Sequence, residues 1–573
     1  MPFVQSSAAA APPARAVLQP RIGPAVAPTP AAGPAPTRAE RFVRWAVVGM
    51  VVFAVLAAAS MLSWPLGYDQ SIFAQNGAVV LNGGAPYRDA FETRGPVAFY
   101  LFAAVEAVFG RSAFAIRFFD VLLLAAADLL LWRVVRPFAS RRHATVAVAL
   151  WTLYVVSWTY NDTAEPDLWA GYAMVVAAVL GAREGGARAR DLVLAGVLVG
   201  LCALTKPFYA AFLAVPAVAV AVREGWVSRP TVRACLLLVV GAAIPTAVVL
   251  AALWAKGALP AMIDVHVLFN TRVYAAPPAS ALVKPLGFAG RVRQIFEFPR
   301  YHAEIALALA PAAVGVSVLW RRQRGLAAGL VAIVALGAVC VALQGKFFFY
   351  HWEILLLALA VCAAVGLSRV AGDGGPAEDA APPRSVRTLV AVTVGMLLLA
   401  VGVSPAEYVK RWLAFAGGRM SGDVYYGTFD ASKDINPADQ MQAAAFLRAN
   451  TAPGTPVAIW GVDAAIPFLA GRPGASRFPM TRYFAYNPDA PMVRAYRHEY
   501  ADSLRAKRPP YFINGLYADR FYKRATTPIV VQWPEIGRFL DDEYVLDRRI
   551  GDLDVYRRRD YQPPASAPAP GRP

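Results

Sequence analysis

Cysteine, histidine and charge are all scarce in this chain of 573 residues. The four cysteines, Cys202, Cys235, Cys340 and Cys362, lie inside hydrophobic runs. That placement argues against disulfides and against a cysteine metal site, and fits small buried hydrophobes. Charged residues make up 16% of the sequence and gather between apolar runs, while 57% is hydrophobic and the mean hydropathy is +0.44. Such a composition excludes an ordinary soluble globular protein and implies several membrane spans. The net charge of +18 is no sign of nucleic-acid binding, because much of the excess is arginine at the ends of apolar runs. No glycine-rich phosphate loop or nucleotide fingerprint occurs in the polar C-terminal region. No internal repeat is visible either, which weighs against a transporter built on inverted repeats.

The first forty residues are rich in Ala and Pro and cannot build a core. They have no h-region, so no cleavable signal peptide is expected. Residues 1–44 are expected to be a disordered cytoplasmic tail, with Arg38, Arg41 and Arg44 holding it inside.

A spanning helix needs roughly 20 apolar residues. On that ruler about eleven spans are expected, near 45–64, 112–134, 144–160, 167–182, 191–205, 207–223, 233–254, 303–320, 326–343, 351–368 and 388–404. They make residues 45–404 an α-helical polytopic membrane domain, with a first outer loop at 65–111. Within that loop the run 96–109 is too short to cross and contains Glu106, so an interfacial or re-entrant helix is expected. Arginines flank every segment assigned inside, among them Arg133, Arg141, Arg188, Arg223, Arg229, Arg321 and Arg369. An odd number of spans puts the C-terminus outside. Residues 405–560 then form a soluble periplasmic α/β domain. Its expected helices are Ala438–Ala449 and Met492–Ala506, and its expected strands Pro456–Gly461, Tyr511–Asn514, Tyr544–Leu546 and Leu553–Arg557. Residues 561–573 are expected to be a loose tail.

With this topology most ionisable groups near span ends, arginines apart, fall on the outer face: Asp69, Glu92, Asp162, Glu165, Asp167, Lys206, Lys346 and His351. Carboxylates and lysines on one membrane face suit a lipid substrate with an anionic head. Such a substrate needs a carboxylate to take a proton from an acceptor hydroxyl. It needs cations against the charge that develops on a phosphate leaving group, and an apolar groove for the tail. Asp69 and Glu165 are the catalytic candidates. Arg94, Lys206 and Lys346 are the phosphate-binding candidates, with Glu92, Tyr87, Asp167 and His351 in support. Plainer roles compete. Asp69 fits a helix N-cap, Lys206 an interfacial lysine with its head in water, and His351 an ordinary interfacial histidine.

The order of these features resembles the GT-C superfamily of integral-membrane glycosyltransferases, in the branch of aminoarabinose and family 39-like protein O-mannosyl transferases. Asp69-Gln70 stands where that family has an Asp-Glu pair in its first outer loop. Gly84-Ala85-Pro86-Tyr87 and Glu92-Thr93-Arg94-Gly95-Pro96 match the turns that follow, and Phe109-Gly110 and Arg117 match the second span. Glu165-Pro166, Thr205-Lys206-Pro207 and Phe349-Tyr350-His351-Trp352 complete the set. The resemblance implies transfer of a sugar from a polyprenyl-phosphate donor to a lipid, glycan or protein acceptor, mostly with inversion. The expected place is the periplasmic face of a bacterial inner membrane, among membrane lipid and without nucleic acid. No cofactor is required by these residues; a divalent cation is compatible with them, and no metal ligands are assigned. Two other classes stay open: a transporter or flippase of lipid-linked sugars, which needs mid-membrane charge such as Asp120 and Asp128, and a non-catalytic membrane scaffold, which has no need of Asp69.

Overall fold

The computed structural model describes residues 37–274, 286–372, 383–429, 435–515 and 533–564. The tail expected at 1–44 lies outside the described residues up to 36, and the tail expected at 561–573 does so from 565. The chain divides into two units, 1–46 and 47–573; the described part of the first forms the opening turns of a helix.

Each expected span is helical. In chain order the helices are α1 Arg38–Ser60, α2 Tyr68–Leu81, α3 Pro96–Phe109, α4 Ala113–Val135, α5 Arg141–Ser157, α6 Pro166–Gly181, α7 Ala189–Ala203 and α8 Ala214–Glu224. They continue with α9 Arg229–Ala255, α10 Leu259–Met262, α11 Phe288–Tyr301, α12 Ala303–Arg322, α13 Arg324–Gln344, α14 Glu353–Val370 and α15 Arg384–Ala416. A π-helical stretch, Ile263–Tyr274, follows α10, and 3₁₀ turns at Pro207–Leu213 and Phe349–Trp352 lead into α8 and α14. Among the described residues seven helices are long and apolar enough to cross a membrane; the other expected spans are α4 to α7. Two physical reasons separate them. Helix α4 carries Arg117, Asp120 and Asp128, and α5, α6 and α7 have 17, 16 and 15 residues.

Ser112, Ser140 and Ser228 cap α4, α5 and α9 by accepting a backbone N–H. Close helix crossings use glycine. A Cβ at Gly196 or Gly241 would strike the carbonyl of the facing helix where α7 crosses α9, and the same holds for Gly315 and Gly366 at α12 and α14. Arg117 and Asp120 of α4 are held by polar groups of the loop before α6. Arg117 donates to Thr163 Oγ1 at 2.7 Å and to the Tyr160 carbonyl at 2.8 Å. Asp120 accepts from the Ala164 N–H at 3.0 Å and from Trp169 Nε1 at 2.8 Å. One turn of α4 therefore fastens the loop that delivers Glu165. Asp128 accepts from Thr152 of α5 at 2.9 Å.

The C-terminal region holds helices α16 Gly422–Gly427, α17 Pro437–Asn450, α18 Ala465–Ala470 and α19 Pro491–Lys507, and a further helix at Pro534–Glu543. Its strands are β1 Val457–Trp460, β2 Tyr511–Gly515, β3 Tyr544–Ile550 and β4 Leu553–Arg558, in the order β1-β2-β4-β3. β1 pairs with β2 in parallel, with Val457 opposite Tyr511, and the chain between them includes α19. The other two pairings are antiparallel. Both sheet faces are covered: Val457, Ile459 and Ile513 join Ala443 and Leu447 of α17, while Ala458, Trp460 and Phe512 join Tyr500 and Leu504 of α19. That explains why these strands read as apolar runs rather than as alternation.

Candidate active site

Asp69 lies in the first turn of α2, and the N-cap position belongs to Gly67, whose backbone is extended. The capping role open to Asp69 from sequence is thus not taken. A carboxylate there still suits the positive end of the helix. The loop after α2 returns toward α7 through one close backbone approach. Gly95 N–H donates to the Thr205 carbonyl at 2.9 Å, and a Cβ at Gly95 would collide with the Leu204 carbonyl. Only glycine permits this contact, and it sets Arg94 beside Lys206.

Arg94 is the hub of the resulting cluster. Its Nη2 lies 3.1 Å from Asp69 Oδ2 and 4.0 Å from Glu165 Oε2, and its Nη1 lies 2.9 Å from Asp167 Oδ2. Lys206 Nζ lies 2.7 Å from Asp167 Oδ1 and 3.1 Å from Gln344 Oε1. The Tyr209 hydroxyl donates to the same Asp167 oxygen. Exposure grades the cluster: 21% for the Asp69 side chain, 12% for Arg94, 10% for Lys206, 1% for Asp167 and 0% for Glu165. Asp69 is therefore the carboxylate that an incoming molecule reaches. Glu165 is held from behind by Gln70, whose Nε2 donates to Glu165 Oε1 at 2.8 Å and to the carbonyls of Asn161 and Thr163.

Tyr350 forms one wall, with the Arg94 guanidinium and the Lys206 ammonium each 5.3 Å from its ring centroid. His351 is buried behind it, edge-on at 4.5 Å. Lys346 sits over the Tyr274 ring at 2.9 Å. Burial, reinforced by the Arg94 charge, lowers the Lys206 ammonium to about 8 and the Lys346 ammonium to about 7. Burial, with the nearby Asp69 charge, raises the Glu165 carboxyl well above the usual carboxylate range.

The structure thus brings Asp69, Arg94, Glu165, Asp167 and Lys206 into one network, with Lys346 and His351 at its edge. Glu92 and Tyr87 point elsewhere. Glu92 accepts from Thr93 and from the Tyr483 hydroxyl, and Tyr87 donates to the Arg94 carbonyl at 2.9 Å. Both brace the loop against the C-terminal region, which docks on it through Phe91. The Phe91 N–H donates to the Arg477 carbonyl at 2.7 Å, and its ring packs among Phe269, Phe478, Tyr483 and Tyr496. Sequence reasoning missed Gln70, Tyr209, Tyr274 and Gln344. Gln70 had a signal: an amide can donate to a carboxylate, as a second acid in its place cannot when ionised.

Residues 93–254 match the family model described as dolichyl-phosphate-mannose-protein mannosyltransferase. That segment contains Arg94, Glu165, Asp167 and Lys206, whereas Asp69 and Lys346 lie outside it. The match bears out the resemblance to GT-C membrane glycosyltransferases drawn from the motif order. Among solved structures, ArnT from Cupriavidus metallidurans bound to undecaprenyl phosphate shares 14% identity over 90% of this chain and 98% of its own, with a TM-score of 0.48. The Archaeoglobus fulgidus oligosaccharyltransferase tethered to an acceptor peptide shares 14% over 88% of this chain and 72% of its own, with a TM-score of 0.46. The arabinofuranosyltransferase AftD from Mycobacteria shares 17% over 91% of this chain and 42% of its own, with a TM-score of 0.44. No curated protein sequence matches the chain.

Proposed function

We propose that this chain is a polyprenyl-phosphate-sugar-dependent glycosyltransferase working at the periplasmic face of a bacterial inner membrane. The observation that carries the reading is the Arg94 hub: a largely buried guanidinium held between Asp69 and Asp167, with Lys206 sharing Asp167 and Lys346 at the edge of the cluster. In this reading the acceptor hydroxyl oxygen attacks the anomeric carbon, and its proton passes to Asp69. The bond from that carbon to the phosphate oxygen breaks, and the polyprenyl phosphate leaves with the electron pair, inverting the centre. Lys206 and Lys346 meet the charge on the departing phosphate, as preorganised cations in a water-poor site do. Arg94 orients Asp69 and faces the same charge. Asp167 keeps Arg94 and Lys206 in place, and Glu165 acts through Gln70 and Arg94 as a positioning residue.

An apolar cleft of about 110 Å³ between α5, α12, α14 and α15 supports a lipid-linked donor. It is lined by Leu150, Trp151, Tyr154, Ile305 and Leu356. Aromatic contacts from Tyr154 through Trp158 to Phe349 lead from it toward Tyr350. Asp120 is held by the Ala164 N–H and by Trp169, which ill suits the mobile charge that a flippase reading needs.

The test is transfer by the purified protein from a panel of polyprenyl-phosphate sugars. Release of polyprenyl phosphate dependent on added acceptor is expected; hydrolysis or flipping without transfer would overturn the reading. Reporter fusions at Gly454 and Gly186 are expected to label the periplasm and the cytoplasm respectively, following the arginine asymmetry.

A further inference from the structure

A second cavity, of about 260 Å³, lies between α2 and the C-terminal sheet, walled by Gln75, Asn76, Arg111, Val457, Gly474 and Lys507. It shares no lining residue with the Arg94 cluster. Its floor is polar and buried: Gln75 is 4% exposed and Asn76 1%. Gln75 Oε1 accepts from Arg111 at 3.2 Å, and its amide nitrogen has no hydrogen-bond partner among the described residues. That amide nitrogen opens onto the cavity, where an acceptor atom of an entering molecule can reach it.

The charges around it do not balance. Asp89 is taken up by Arg88, at 2.7 Å, and by the Ala85 N–H. Arg477 is taken up by both oxygens of Glu499, at 2.6 and 2.8 Å. Arg111 and Lys507 are left, and neither has a carboxylate within ion-pair distance among the described residues. Arg111 touches Gln75, the Pro467 carbonyl and the Phe468 ring, while Glu106 acts on it, and Lys507 on Asp89, through space without an ion pair. The remaining wall includes the backbone of β1 and of the segment Pro473–Ser476 that pairs with its edge.

We infer that this cavity binds a small hydroxyl-bearing molecule carrying an oxyanion, phosphoryl or carboxyl. The oxyanion would meet Arg111 and Lys507, and the Gln75 amide would donate to the polar body. The volume lies just below the range of roughly 300–1,000 Å³ usual for ligand clefts, which limits the occupant to a small headgroup or a free metabolite of that size. The inference concerns binding alone and stands apart from the transfer reaction.

The test uses the full-length protein in phosphatidylcholine nanodiscs titrated with glycerol phosphate, with glycerol as the neutral control, by calorimetry. Glycerol phosphate is expected to bind and glycerol not. Arg111→Gln combined with Lys507→Gln is expected to weaken binding at least about tenfold, the scale of one lost charge-assisted hydrogen bond. Lys507→Glu alone, at an exposed position, is expected to weaken it too. No binding of glycerol phosphate, or equal binding by the Arg111 and Lys507 variants, would overturn the inference. Discs containing phosphatidylglycerol separate the sources: competition with the titrant identifies a lipid headgroup, and undiminished binding a free anion.

Discussion

Arg94 and Asp69 meet through a single contact, Nη2 to Oδ2 at 3.1 Å, between a loop and the first turn of a helix. The second carboxylate oxygen of Asp69 lies outside that contact, and the side chain is 21% exposed. An arginine fixed on one oxygen aims the other, which suits a base that must meet an incoming hydroxyl. Asp69→Asn keeps the size and an acceptor for Arg94 but removes the basicity. The variant is expected to fold and insert normally, with transfer reduced at least about a hundredfold. Near-normal turnover in that variant would rule out the assigned role.

Gly95 offers a test that touches no charged group. A methyl group there meets the Leu204 carbonyl, backbone at the C-cap of α7 that already accepts from the Val97 N–H. Gly95→Ala is expected to move Arg94 away from Lys206 and to weaken donor binding, with the helices intact by circular dichroism. The direct check is donor affinity: an unchanged value would show that the Arg94–Lys206 spacing is unimportant.

The two lysines give a pH dependence of definite sign. Lys346 is lowered to about 7 and Lys206 to about 8, in both cases chiefly by burial, so each loses its proton as the pH rises through those values. Donor affinity is expected to fall from pH 7 to pH 9, approaching tenfold per unit for each proton that binding requires. Folding stability moves the other way. The unfolded chain holds more protons than the folded one between these values and the ordinary lysine pKa, so this contribution to stability grows with pH. Donor titrations and thermal midpoints at several pH values check both. A midpoint that falls in step with affinity would mean that the loss is unfolding rather than titration.

Much of the fold was legible. The spans and the four strands follow from the lengths of apolar runs and from turn residues, local properties that a single sequence displays. The candidate residues were legible as types placed on one face. Their pairing was not. Nothing local says that Arg94 and Lys206 share Asp167, or that Gln70 stands behind Glu165, because those contacts join segments that meet only when α2, α6 and α7 pack. The same holds for Glu92: its sequence neighbourhood matches that of Arg94, yet it turns toward Tyr483 of the C-terminal region. Exposure was equally hidden, and it is what separates Asp69 from Glu165.

That separation makes the last prediction. Glu165 is fully buried, accepts one hydrogen bond from Gln70, and has its second oxygen 4.0 Å from Arg94 without a hydrogen-bond partner among the described residues. Burial and the Asp69 charge favour its neutral form. A neutral carboxyl and a carboxamide have nearly the same shape, and the amide oxygen of glutamine can accept from Gln70 as Oε1 does now. Glu165→Gln is therefore expected to keep turnover within about tenfold, well short of the loss typical of a missing general base. Glu165→Ala removes the group that Gln70 and Arg94 both face and is expected to lose more. The pH profile of turnover tells positioning from catalysis: with Glu165→Gln its limbs are expected to stay in place. A Glu165→Gln variant as poor as Asp69→Asn, or one with a displaced profile, would mean that Glu165 works as an ionised carboxylate and that the two acids share the base role.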